Sequence, residues 1–319
     1  MKRRKEYPMQ KRLIFLCLIK SVFLSQLTFA GKLENTAYTL DRDDESSITF
    51  YLKKQTNPAE NLLLLIQGSD CNSVYHNNTI NNVFSVSLKD KDVLTIEKYG
   101  IDKSLKWRVD NERQDCPQDY IDQDSPSQRV KDIKHVLEHV MAAKQYKNLV
   151  VLGGSEGALV ANILSAQFEK VTHTIAINGG GRWFLDDVLY NIEHTSMGGS
   201  DESQKQGFIG FTQHILNSPK FDLTMSGHGY RWWREMLEID QTEAIRQIDN
   251  PILIIQTEDD KNVSPKLALQ QAQILMATKD NILYKAYPNL DHGFKRASGV
   301  SEAHRVVADI QAWLNQTLD

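Results

Sequence analysis

The sequence predicts an α/β fold: a mostly parallel sheet with helices on both faces and a helical cap inserted late in the chain. Three observations lead there. Short apolar runs punctuated by glycine or proline recur along the chain, helical patterns separate them, and between residues 181 and 246 the alternation gives way to helical pieces with no strand pattern. The composition is that of a globular protein, 41% hydrophobic and 24% charged, and no repeat or low-complexity segment interrupts it.

The first thirty residues stand apart. A basic stretch, MKRRKEYPMQKR, is followed by the apolar LIFLCLIKSVFLSQLTFA, which ends in small residues. This is the layout of a secretory signal, with Thr28 and Ala30 at the cleavage positions and Gly31 as the new N-terminus; an uncleaved membrane anchor is the alternative. The expected organisation is therefore a leader (1–30), a first core segment (31–180), a cap (181–246) and a second core segment (247–319). Seven of the 37 Lys and Arg and one of the 41 Asp and Glu precede Gly31, so the remainder carries a net charge of −10. An acidic chain of this kind lacks the basic surface that nucleic-acid binding requires.

Residues 36–40 and 47–54 flank the acidic turn DRDDE and read as an antiparallel opening hairpin. NLLLLIQG (61–68), DVLTIEKYG (92–100), KNLVVLGG (147–154), VTHTIAING (171–179), PILIIQT (251–257) and NILYKAY (281–287) read as buried strands. SPSQRVKDIKHVLEHVMAAK reads as a helix, with Ser125 as N-cap, Pro126 in the first turn and Gln128 closing a capping box. Val130, Ile133, Leu137, Val140 and Met141 form its apolar stripe. A last helix over about 300–317 buries Ala303, Val306, Ile310 and Trp313. His135, Glu138 and His139 spell H-x-x-E-H, a metal-site pattern, but lie opposite that stripe and should face water, with no third ligand evident; no metal or organic cofactor is expected. The cap pieces are GRWFLDDVLYNIEH, SQKQGFIGFTQHIL and YRWWREMLEI, and their aromatic density points to Trp232 and Trp233 as substrate-pocket residues.

The strongest chemical signal is Gly153-Gly154-Ser155-Glu156-Gly157. It matches G-x-S-x-G between an apolar strand pattern and a helix, the setting in which a sharp turn lifts a serine hydroxyl above a sheet. A Cβ at Gly153 or Gly157 would crowd that turn.

On these residues the sequence resembles the α/β-hydrolase serine hydrolases, either esterase or dienelactone-hydrolase types or prolyl-oligopeptidase-like catalytic domains, over about residues 36–317. The resemblance implies an acid and then a histidine later in the chain. Asp260 stands three residues before Val263 in the family's D-x-x-V register, with Glu258 and Asp259 as neighbouring alternatives; His292 sits in the H-G setting of YPNLDHGF. Ser155 would be the nucleophile, His292 the general base and Asp260 its orienting partner. The oxyanion donors would be the backbone N–H of Glu156 and that of Ser69, with Asp70 as runner-up; Gln67-Gly68-Ser69 stands where many relatives carry His-Gly-x. Cys71 and Cys116 lie on loops leaving the same sheet edge and should form a disulfide in an exported protein, periplasmic or secreted. The expected reaction is hydrolysis of a carboxylic ester or thioester of a small or medium acyl group. An exported peptidase, an acyltransferase and a non-catalytic binding protein on the same fold are the rival readings.

Overall fold

Apolar runs become central strands when both of their faces are covered, and this chain covers them with helices. The computed structural model describes residues 36–109, 113–196 and 201–318; the leader expected over 1–30 lies outside the described residues. The strands are β1 (Thr36–Asp41), β2 (Ser47–Lys53), β3 (Asn61–Ile66), β4 (Lys91–Ile96), β5 (Asn148–Gly154), β6 (His173–Ile177), β7 (Ile252–Thr257) and β8 (Ile282–Tyr287). They form one sheet in the order β1-β2-β4-β3-β5-β6-β7-β8. β1, β2 and β4 pair antiparallel, and all pairs from β4 onward are parallel. The helices are α1 (Gln118–Gln123), α2 (Pro126–Ala143), α3 (Glu156–Gln167), α4 (Phe184–Thr195), α5 (Asp201–Asn217), α6 (Tyr230–Glu238), α7 (Gln241–Arg246), α8 (Pro265–Met276) and α9 (Ala303–Thr317). This is the α/β-hydrolase arrangement.

Side chains of a strand alternate between faces, and the two cores divide accordingly. Leu63, Leu65, Val150 and Leu152 pack with α9 through Val306, Ile310 and Trp313. Leu62, Leu64, Leu149 and Val151 pack with α2 and α3 through Ile133, Leu137, Val160 and Leu164. Between β6 and β7 the expected cap region holds α4 to α7, which gather Phe208, Trp232, Trp233 and Met236 over Leu159 of α3.

Three expectations need correction. The runs 61–68 and 92–100 leave the sheet at Ile66 and Ile96, so Gln67, Gly68, Glu97 and Lys98 belong to loops above it. NILYKAY is the sheet's last strand, with burial confined to Ile282 and Tyr287, because an edge strand has a neighbour on one side only. The Ser125 hydroxyl accepts from the Gln128 N–H at 3.3 Å as an N-cap should, but the reciprocal half of the capping box does not form. Gln128 Nε2 donates instead to Asp132 at 2.9 Å, a charged acceptor one turn along. His135, Glu138 and His139 are all exposed on α2.

Cys71 and Cys116 form a disulfide with Cα atoms 5.7 Å apart, joining the loops that follow β3 and β4. Closing a loop across their separation of 45 residues stabilises by about 4 kcal/mol in the chain-entropy model. Reduction should therefore lower the melting temperature of the oxidised protein by several degrees. Parallel melts with and without a phosphine reductant, plus a thiol count on denatured protein, measure this; two free thiols before reduction would remove the bridge.

Candidate active site

Ser155 sits between the end of β5 and the start of α3 with φ 55° and ψ −129°, a conformation that L residues rarely adopt. Its N–H donates to Ile177 O at 2.8 Å, fixing the turn against β6. A Cβ on Gly153 would lie 1.9 Å from Gly157 O, and one on Gly157 2.4 Å from Ile66 O. Nothing lies near the corresponding position on Gly154. Gly153 and Gly157 are thus required by close backbone approach, whereas the position of Gly154 has room for a side chain.

Asp260 follows β7 and is buried, whereas its neighbours Glu258 and Asp259 are exposed. Its Oδ2 accepts from His292 Nδ1 at 2.7 Å. Its Oδ1 accepts the backbone N–H groups of Asn262 at 2.8 Å and Val263 at 3.2 Å. The D-x-x-V register therefore has a physical basis: the loop folds back so that its own amides hold the carboxylate. Asn178, just after β6, donates from Nδ2 to His292 O at 3.1 Å, while its Oδ1 accepts from Thr257 N at 2.9 Å. Tyr190 of α4 donates to Asp260 O at 2.8 Å. Asp260 and His292 are thus brought together, but no hydrogen bond joins Ser155 Oγ to His292 among the described residues. Such bonds often tighten only when substrate is bound.

The loop after β3 approaches the nucleophile directly. A Cβ on Gly68 would lie 3.2 Å from Ser155 Cβ. Ser69 and Ser155 line one cavity of about 130 Å³. The Gln67 side chain spans the loop, donating to Asp70 Oδ1 at 2.7 Å and Asn72 O at 3.0 Å. The cavity's apolar wall comes from Phe184, Trp232, Met236 and Ile239 of the cap region, with Leu159 and Val263 from the core. A larger open groove of about 940 Å³ runs along α2 and α7, but it contains none of the expected catalytic residues.

Beneath the cavity lies a buried polar network that the sequence reading missed. Arg129 donates to Glu156 Oε1 at 2.7 Å and to Gln67 O at 2.5 Å. Trp232 Nε1 donates to Glu156 Oε2 at 3.0 Å. His228 stacks on Trp232 with ring centroids 3.7 Å apart and shares a hydrogen bond with Tyr120. Burial lowers the His228 pKa to about 3, so the ring is neutral. Burial pushes the Glu156 carboxyl up, but the charges of Arg129 and Lys98 outweigh it and hold the group below its ordinary value. One signal was available: Arg129 falls four residues before Ile133, on the helix stripe that should be apolar. Trp232 does line the cavity, but Trp233 does not. Its indole donates to Met225 O at 3.1 Å and packs against Phe208 and Phe211 inside the cap, so the expected pocket role is corrected to a core role.

Fold and site together define a serine hydrolase of the α/β-hydrolase class. The sequence profile of the prolyl oligopeptidase family matches residues 118–319, and the chain belongs to that family. It is 24% identical over 179 residues to the acylamino-acid-releasing enzyme of Rattus norvegicus, a match covering 55% of this chain and 22% of that enzyme. The chain thus spans about a fifth of that relative's length. Among solved structures it is similar to Est1E from Butyrivibrio proteoclasticus, with TM-score 0.58, 12% identity, and 89% of this chain and 99% of that one covered. It is also similar to the Pyrococcus horikoshii acylaminoacyl peptidase, with TM-score 0.57, 12% identity, and 89% and 41% covered.

Asp124 is buried beside this network, and neither of its carboxylate oxygens has a hydrogen-bond partner among the described residues. Burial, reinforced by the charge of Glu156, raises its pKa from 3.8 to about 7. Its contribution to stability is full below the unfolded-state pKa and is lost as pH rises through the folded value. The Asp124→Asn variant should therefore melt above the wild type at both pH 8.5 and pH 5.5, by the larger margin at pH 8.5, since the loss begins above the unfolded-state value and is complete only above the folded one. Thermal melts in the two buffers check this; an equal offset at both would mean that the carboxylate does not titrate in this window.

Proposed function

We propose that the protein hydrolyses esters or thioesters of small, apolar acyl groups through an acyl-Ser155 intermediate. His292 takes the Ser155 proton as the hydroxyl attacks the acyl carbon, then delivers it to the departing alcohol or thiol. Asp260 holds the imidazole tautomer and stabilises the imidazolium. The N–H groups of Glu156 and Ser69 receive the oxyanion. Water repeats the sequence on the acyl-enzyme and releases the acid.

The observation that carries this reading is the small apolar cavity on Ser155. Both carboxylates lining it are committed: Glu156 to Arg129 and Trp232, and Asp187 to the backbone N–H groups of Gly181 and Ser264, each at 2.8 Å. Neither is free for the charged amine of a peptide. Membership of the prolyl oligopeptidase family favours a second reading, a peptidase that takes blocked or short peptides. The disulfide and the layout of residues 1–30 support export to the periplasm or the medium.

Ser155→Ala should abolish labelling by a fluorophosphonate probe while leaving the melting curve intact. His292→Ala and Asp260→Ala should each lower kcat by roughly 10³- to 10⁶-fold. Matched p-nitrophenyl esters and acyl-peptide p-nitroanilides then separate the two readings: the ester reading requires kcat/KM to be higher on esters of short acyl chains and to fall as the chain outgrows the cavity. Faster turnover of the anilides would establish the peptidase instead.

A further inference from the structure

The loop expected to supply the oxyanion donor turns its carbonyls toward buried cations. Lys98, two residues beyond β4, has a side chain only 4% exposed. Its Nζ donates to Gly68 O at 2.6 Å and also to Asp70 O. Arg129 holds the preceding carbonyl, that of Gln67. Gly68 O and Ser69 N–H belong to the same peptide unit, and in a trans peptide these two groups point in opposite directions. A cation fixed on the Gly68 oxygen therefore aims the Ser69 N–H away from itself, and Ser69 lines the cavity that contains Ser155. The conformation held in this way is not a relaxed one, since Asp70 has φ 136°.

Resting on the acyl-transfer reading above, we infer that Lys98 is a positioning residue for the oxyanion site: by gripping the carbonyls of Gly68 and Asp70 it locks the Ser69 amide toward the developing negative charge. Arg129 is tied to Glu156 as well, so Lys98 is the cation whose hydrogen bonds are concentrated on this loop. Its charge also sits close enough to Glu156 and Asp124 to act on both. A purely structural role as their counter-ion is the competing account.

The two accounts differ in what they do to the transition state. Lys98→Met keeps the length and apolar stem of the side chain but removes the donor. It should lower kcat by about 10²- to 10³-fold, the effect of losing one preorganised oxyanion donor, with KM within about threefold of wild type. Affinity for an alkyl boronic acid, which forms a tetrahedral anion on the serine, should fall in parallel. Lys98→Gln retains an uncharged N–H donor group and should recover part of both losses. Wild-type kcat and boronate affinity in Lys98→Met would overturn the inference. So would losses in both variants that merely follow their unfolded fraction by circular dichroism, which would make Lys98 a fold residue. A wild-type protein that neither binds the boronate nor turns over ester would instead defeat the acyl-transfer reading itself.

Discussion

The buried pair of Arg129 and Glu156 is the contact through which the separate parts of the site are registered. Arg129 comes from a helix on one face of the sheet, and Glu156 is the residue that follows the nucleophile. The guanidinium's second nitrogen holds Gln67 O, at the base of the loop after β3, and the carboxylate's second oxygen receives the Trp232 indole of the cap. Burying two charges costs several kcal/mol per ion, and the pair recovers it only where the geometry is good and the remaining hydrogen-bonding positions are filled. Here those positions are filled by the pieces that must be aligned. Losing either partner would leave an unpaired buried charge, a defect of about 3–5 kcal/mol, and would release the loop after β3 and the Trp232 indole together.

Around that pair, the C-terminal edge of the sheet is held by restraints of different kinds. A disulfide joins the loops after β3 and β4. Lys98 grips the first of these through its carbonyls. The Asn178 amide joins β6 and β7 to the histidine loop. The acid loop supplies two of its own N–H groups to Asp260, and Tyr190 brings the cap onto the same loop. The backbone strain collects there too: Asp70, Ser155, Asn178, Asn289 and Phe294 all have positive φ, and each lies on a loop bearing or flanking a proposed catalytic group. Strain of about 1–3 kcal/mol per residue persists only where the surroundings over-determine it, and this edge is dense with such surroundings.

What was legible in the sequence follows from which signals are local. The strands of the parallel sheet are legible because double-sided burial writes a continuous apolar run, and Ser155 because two close backbone approaches demand glycines at fixed offsets. Asp260 and His292 follow once the family order is accepted. The strand ends were misplaced for the same reason that they matter. At Gln67 after β3 and at Glu97 and Lys98 after β4 the chain is still buried, but it is leaving the sheet for the site, and burial alone does not distinguish the two. Trp233 was misassigned because an adjacent Trp pair on a helix points its rings in different directions: Trp232 reaches Glu156 and the cavity, while Trp233 turns into the cap. The Lys98 and His228 contacts join residues far apart in the chain, and no spacing rule announces them.

The small cavity and the polar network below it are two aspects of one design. An apolar wall excludes water, which strengthens every electrostatic interaction inside it, but it also makes any unpaired polar group expensive. The network settles that conflict by committing each nearby carboxylate. Glu156 is neutralised by Arg129, and Asp187 is occupied by two backbone amides. On the proposed reading, acyl transfer uses a hydroxyl raised on a strained turn and amides whose carbonyl ends are held elsewhere, Gly68 O by Lys98 and Ser155 O by the Ala158 N–H. Such amides need not reorient as negative charge develops. On the proposed reading, selectivity would arise less from contacts aimed at the substrate than from the commitment of the charged groups that line the cavity: Glu156 to Arg129, Asp187 to two amides and Arg182 to Asp240.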